Sequence, residues 1–193
     1  MLKYFFIQLF LILFIQSFSQ KISFYREDIT FQLKEQYLLV SGDYYFKNST
    51  VNKINQQIYF PIYSDSLINT FDSLKIFNYN KNQKVKSIGI TESGVIFNIK
   101  IFPDDSVKLN ISYKQMHSGS YAKYILTSTK SWGKPLKIAN YFLIVNDGIE
   151  VQKFSYQPQK TINFNNKTMY EWHMVNFMPD DDFEVKFRID NKK

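Results

Sequence analysis

Period-two alternation of apolar and polar residues is the feature that most narrows what this 193-residue chain can fold into. In ITFQL, Ile29, Phe31 and Leu33 fall on one side while Thr30 and Gln32 fall on the other. VIFNIKI sets Val95, Phe97, Ile99 and Ile101 against Ile96, Asn98 and Lys100. VKLNISY and FEVKFRI repeat the pattern through Val107, Leu109, Ile111 and Tyr113, and through Phe183, Val185, Phe187 and Ile189. Side chains on a strand point to opposite faces in turn, so each segment has one dry and one wet face. Parallel strands are buried on both faces, so this habit is the antiparallel one. Short strands with turns between them imply an all-β fold, an antiparallel β-sandwich, as one body or as two stacked lobes.

Turn residues divide the strands. Asn146-Asp147-Gly148 is the strongest hairpin signal in the chain, and Glu92-Ser93-Gly94 is a second one. Lys81–Lys86, with three lysines, reads as a solvated hairpin tip. Gly42 interrupts an apolar face, where a bulge or a close approach is expected. Residues 63–74 are the best helical candidate, with Leu67, Ile68 and Phe71 on one helix face, and read as a short helix or a loop. A weak internal repeat pairs residues 94–113 with residues 170–189, each expected to be a hairpin whose turn starts at Pro103 or Pro179. It suggests lobes over residues 20–116 and 117–193, linked through Lys114–Ser120.

Residues 1–19 read as a secretory signal. Lys3 precedes an apolar run from Tyr4 to Ile15, and Ser17 and Ser19 are small residues spaced for cleavage before Gln20. The run is short of the roughly 20 residues that a membrane span needs; an uncleaved signal anchor is the alternative. A secreted or periplasmic bacterial protein is expected, with no integral membrane span after signal cleavage. The chain has no cysteine, so its core must hold without disulfides. Asn48, Asn110 and Asn166 stand in glycosylation sequons, which act as glycan acceptors only in a eukaryote. The formal charge of +7 is spread along the chain rather than gathered on one face, which argues against nucleic acid.

Motifs for chemistry are sparse. Two histidines exist, and neither belongs to a zinc-peptidase helix motif. His117, in the expected link, reads as exposed; His173 reads as a hydrogen-bonded core or rim residue sharing a face with Val175 and Phe177. No cysteine nucleophile, nucleophile elbow or phosphate loop is present. Asp104-Asp105 and Asp180-Asp181-Asp182 follow prolines and read as turn chemistry rather than a calcium site, because adjacent aspartates cannot all face one ion. The 14 tyrosines and 19 phenylalanines are read mainly as core and cross-strand pairs. Trp132 is expected at a strand end before Gly133 and Pro135. There it closes the open end of the sandwich; alternatively Trp132, Lys130 and Lys134 form an exposed aromatic and cationic binding rim. No metal and no cofactor are expected.

Three stretches in order, REDITFQL (26–33), VSGDYYFKN (40–48) and IYFPI (58–62), resemble the opening of an uncharacterised family of secreted bacterial β-sandwich proteins, a domain of unknown function. Tyr124, Thr127 and Trp132 match a later strand of that family. The layout is also similar to the all-β N-terminal domain of gluzincin aminopeptidases. The resemblance implies a fold more than an activity. The expectation is a non-enzymatic binding or structural module of the bacterial cell envelope, with an envelope protein or a glycan as partner. Alternatives are an accessory domain for a separately encoded envelope protein or peptidase, or a carbohydrate-binding or hydrolytic β-protein.

Overall fold

The computed structural model describes residues 22–64, 71–117 and 119–190. The expected signal and its cleavage point, and Leu67 and Ile68 of the helix-or-loop segment, lie outside the described residues. Among the described residues fourteen strands follow one another: β1 (Ile22–Leu33), β2 (Tyr37–Asn48), β3 (Ile54–Pro61), β4 (Phe71–Asn78), β5 (Gln83–Lys84), β6 (Ser87–Thr91) and β7 (Gly94–Ile101); then β8 (Ser106–Met116), β9 (Tyr121–Tyr124), β10 (Leu136–Asn146), β11 (Ile149–Phe154), β12 (Lys160–Phe164), β13 (Lys167–Phe177) and β14 (Phe183–Ile189). A 3-10 helix, Thr127–Trp132, sits between β9 and β10. No helix among the described residues is long and apolar enough to cross a membrane.

The alternating segments build an all-β sandwich. One layer is an eight-stranded sheet in the order β12-β13-β10-β1-β2-β8-β4-β5. Two three-stranded sheets, β3-β7-β6 and β11-β14-β9, cover a single face of it. That they share a face follows from register and ring contacts. Tyr44 is opposite Glu27, and Ile29 is opposite Tyr141, which is opposite Trp172, so all five point the same way. Tyr44 meets Phe60 of β3, and Tyr141 and Trp172 meet Phe183 of β14. The buried apolar side chains form one continuous cluster. Its aromatic centre stacks Phe31 on Phe183 at 4.7 Å and sets Trp172 edge-on to the same ring at 5.0 Å. Burying one such side chain contributes about 1.5–3 kcal/mol.

Each half of the chain therefore supplies one wing of the large sheet and one small roof. The wings join where β1 runs parallel to β10, from Arg26 opposite Ile138 to Leu33 opposite Val145. This is the one parallel pair among the described strands of an otherwise antiparallel sandwich. A tight turn forces antiparallel neighbours, but β1 and β10 are linked through the whole first half and escape that constraint.

Two expected hairpins are instead arches between layers. β7 pairs with β3 and β6 while β8 pairs with β2 and β4, so the Pro103 turn carries the chain from roof to floor. β13 pairs with β10 and β12 while β14 pairs with β11 and β9, so the Pro179 turn runs from floor to roof. Asn146-Asp147-Gly148 is likewise an arch, since β10 stays in the floor and β11 enters a roof; Gly148 takes φ +84° there. Glu92-Ser93-Gly94 does close a hairpin, β6 with β7, and Lys81–Lys86 tips the β4–β5 hairpin. Phe71–Leu74 begin strand β4, so the helical face with Phe71 does not form. Gly42 is a close approach: a Cβ there would lie 2.4 Å from the Tyr44 hydroxyl, whose ring folds back over it. The bulge of β1 against β2 lies at Tyr25, between Phe24 and Arg26.

Candidate functional site

The Tyr25 bulge lets both Phe24 and Glu27 face the interior. Continuing the alternation of Leu33, Phe31 and Ile29 backwards lands on Glu27, a carboxylate where an apolar residue is due. It is 2% exposed and accepts a hydrogen bond from the buried Tyr141 hydroxyl. Tyr44 and Tyr124 share a hydrogen bond at 2.9 Å beside it. Loss of water raises the Glu27 pKa to about 7, with Tyr141 pulling the other way and Asp28 adding to the rise. Burial likewise lifts Tyr44, Tyr124 and Tyr141 well above the ordinary tyrosine value, so all three stay neutral. The Tyr113 hydroxyl is also buried and has no hydrogen-bond partner among the described residues. One acid and four phenols thus lie together inside the core.

A slot reaches this cluster. Its cavity of ≈ 60 Å³ is lined by Phe24, Glu27, Tyr44, Phe46, Phe60, Tyr124, Thr129 and Trp132, with Ser128 and Ser131 shared with the groove outside. Trp132 contacts Phe24 at 5.7 Å and Phe46 at 5.4 Å between ring centres, closing one wall while staying half-buried. The slot opens into a surface groove of ≈ 560 Å³ lined by Gln56, Gln57, Ile58, Tyr59 and Pro61 on one side, and by Ile125, Thr127, Ser128, Ser131 and Trp132 on the other. Consecutive residues 56–59 all reach the groove although their side chains alternate, so it meets β3 edge-on. That edge is free: β3 pairs only with β7, and no described strand lies along its other side.

The opposite wall is held from the second half. Trp132 ends the 3-10 helix rather than a strand, a correction to the sequence reading. The Asp182 Oδ1 accepts hydrogen bonds from Leu126 N, Thr127 N and Thr127 Oγ1 at 2.7–3.0 Å, and its Oδ2 pairs with Lys123 at 2.9 Å. Burial alone would raise the Asp182 pKa, but the Thr127 and Lys123 bonds bring it below the usual value. Those bonds satisfy the free N–H groups at the helix start. Gly133 ends the helix at φ +65°, and its N–H reaches the Lys130 carbonyl.

Of the three rim residues expected from the sequence, Trp132 lines both slot and groove. Lys130 turns its ammonium to the Asp180 carbonyl at 3.2 Å, and Lys134 is exposed beyond the helix and lines neither. His117 is buried rather than exposed, because the link packs down on Phe187: its Nε2 donates to the Lys34 carbonyl, its Nδ1 accepts from Gly119 N, and burial lowers its pKa. His173 sits on the outer face, hydrogen-bonded to Asn140. It shares exposure with Val175, while positive φ at Asn176 swings Phe177 to the inner side. Asn48 is fully buried and spends its amide on the Asn52, Ile101 and Phe102 carbonyls, which leaves no room for a glycan. Among the described residues no cluster of three or more acids and histidines has metal-binding geometry. A wider groove of ≈ 740 Å³ lies between Phe71–Leu74 and Ile90–Glu92, but none of its lining residues is buried.

Glu27, Tyr44, Phe46, Ile58, Phe60, Tyr124 and Trp132, drawn from stretches that carried the sequence resemblance, all converge on this slot. Comparison with known proteins fits that picture. Residues 104–186 match the profile of a domain of unknown function, DUF4424. No curated protein matches the chain. A Legionella pneumophila protein provisionally described as nutrient-binding shares the fold at a TM-score of 0.68 and 14% identity, over 88% of this chain and 68% of that one. An M1 zinc metallopeptidase of Deinococcus radiodurans gives 0.50 at 11% identity, over 86% of this chain. The chain spans 43% of the length of that enzyme. At such identities the likeness is one of fold: an all-β body shared with the N-terminal domain of those peptidases.

Proposed function

We propose that the chain is a non-catalytic binding module of the bacterial cell envelope, exported behind residues 1–19, and that it holds an extended segment of a partner protein along the free edge of β3. The observation that carries this reading is the groove that exposes β3 edge-on. A strand edge presents a row of unpaired N–H and C=O groups, and an extended peptide satisfies them by adding a strand. The second wall supplies what a sheet edge lacks: Trp132, Thr127 and Ser128 face the added strand from the other side. Similarity in fold to a protein described as nutrient-binding supports a binding role without naming the ligand.

Photo-crosslinking in the producing cell tests the reading. A benzophenone side chain at position 57, in the groove, is expected to give one discrete protein adduct, while the same group at exposed position 88 on β6 gives none. Equal adducts from both positions, or none from 57, overturn it. An adduct at 57 with polysaccharide in place of protein overturns the peptide reading in favour of a glycan, for which Tyr59 and Trp132 offer stacking surfaces. Mass spectrometry of the envelope fraction is expected to find Gln20 as the first residue; a cytosolic chain with residues 1–19 intact overturns export.

A further inference from the structure

We infer that the slot behind the groove is a recognition site for a primary ammonium group, presented by a lysine side chain of the segment lying on β3. The inference rests on the groove being the binding face and adds what the slot selects. Aromatic rings make up much of its wall, Phe24, Tyr44, Phe46, Phe60 and Trp132 among them, with Thr129 adding a buried hydroxyl. Its end holds one carboxylate, Glu27, of which a single oxygen takes the Tyr141 hydrogen bond. Ring faces attract cations, and a buried acid attracts one more strongly than a surface acid does. A lysine side chain fits this order of groups, with four methylenes to lie along rings and a compact charge at the tip.

Other ligand chemistries fit less well. An anion would meet Glu27, with no arginine or lysine lining the slot against it. A neutral aliphatic group would leave an acid and several hydroxyls facing hydrocarbon. Guanidinium is a planar fork that pairs best with two free carboxylate oxygens, whereas one oxygen of Glu27 is already taken by Tyr141. Burial already holds Glu27 far from its ordinary titration range, and a bound cation offsets that loss of water. An ion-paired ammonium therefore gains more here than on the protein surface.

Calorimetric titration of the intact chain at pH 8.5 tests this with n-butylammonium, n-butanol and n-butyrate. Butylammonium is expected to bind saturably, at least tenfold more tightly than either of the others. Equal binding of the alcohol, or no saturable binding of the amine, overturns the inference. Glu27→Gln is expected to weaken butylammonium at least tenfold while remaining folded, because the amide oxygen still accepts the Tyr141 hydroxyl. Trp132→Leu keeps the acid but removes an aromatic wall, and is expected to weaken it at least threefold. Unchanged affinity in both variants overturns the assignment. Nα-acetyl-lysine methylamide and glycine methylamide separate a side-chain amine from a chain terminus; the former is expected to bind, and binding of the latter alone overturns the lysine source. Butylammonium binding without a crosslink at position 57 keeps the slot and removes the groove reading. A crosslink at 57 that Glu27→Gln leaves intact, with no amine binding, does the reverse.

Discussion

The chain carries two tryptophans in two kinds of interior. Trp172 is 1% exposed and sits among Phe154, Tyr170 and Phe183, with its indole N–H given to the Tyr156 carbonyl. That region is packed and dry, as a sandwich core should be. Trp132 is half-buried at the seam between the roofs, where its ring closes a slot that ends on a carboxylate. One region spends its aromatic rings on filling space, while the other leaves space and puts charge and hydroxyls inside it. A core that only had to be stable would have an apolar residue at position 27, so the second region holds a group that stability alone does not call for.

Substitutions at the two rings sharpen that contrast most. Trp172→Ala is expected to cost about 3–5 kcal/mol, the range for a fully packed aromatic. Trp132→Ala is expected to cost about half as much, since only part of its area is buried. Urea unfolding of both variants decides it, and equal losses would erase the distinction between packed core and slot wall.

Next in size is the pH response of the seam. Glu27 has an ordinary value near 4.5 and a folded value of about 7, so the folded chain holds its proton more tightly than the unfolded chain does. Between those values the native state binds more protons, and stability must fall as pH rises, by roughly 3 kcal/mol in all, before levelling above pH 7. The phenols of Tyr44, Tyr113, Tyr124 and Tyr141 around it stay neutral in that window, because burial raises each of them. The fall is expected in the native chain and absent in Glu27→Gln, measured by urea unfolding at pH 5 and pH 8. Parallel profiles would show that Glu27 is not the group responsible. The smallest effect belongs to Tyr113→Phe. Removing a buried hydroxyl that has no partner is expected to stabilise the chain by about 1 kcal/mol in thermal unfolding, whereas a loss would mean that the hydroxyl is satisfied.

Strands and their inward faces were legible because period two is a local property: Ile29, Phe31, Leu33, Val107, Leu109 and Ile111 are all buried as the alternation requires. Pairing was not legible from turns. Asn146-Asp147-Gly148 and the two proline-aspartate turns reverse the chain as their chemistry dictates, but which strand then becomes a neighbour depends on layers assembled from afar. Asp182 shows the same limit, since its partners lie more than fifty residues upstream. Glu27 stood within reach of the alternation rule, two residues before Ile29. Trp132 was found for its size and setting; of the lysines grouped with it, Lys130 reaches the Asp180 carbonyl and Lys134 lies beyond the helix.

The seam of β1 against β10 sets a schedule as well as a shape. Asp28 and Asn140, which are hydrogen-bonded across it, are 112 positions apart. At roughly 5–20 residues per second of synthesis, β1 waits on the order of ten seconds for its neighbour to be made. During that interval its edge is open to any passing strand.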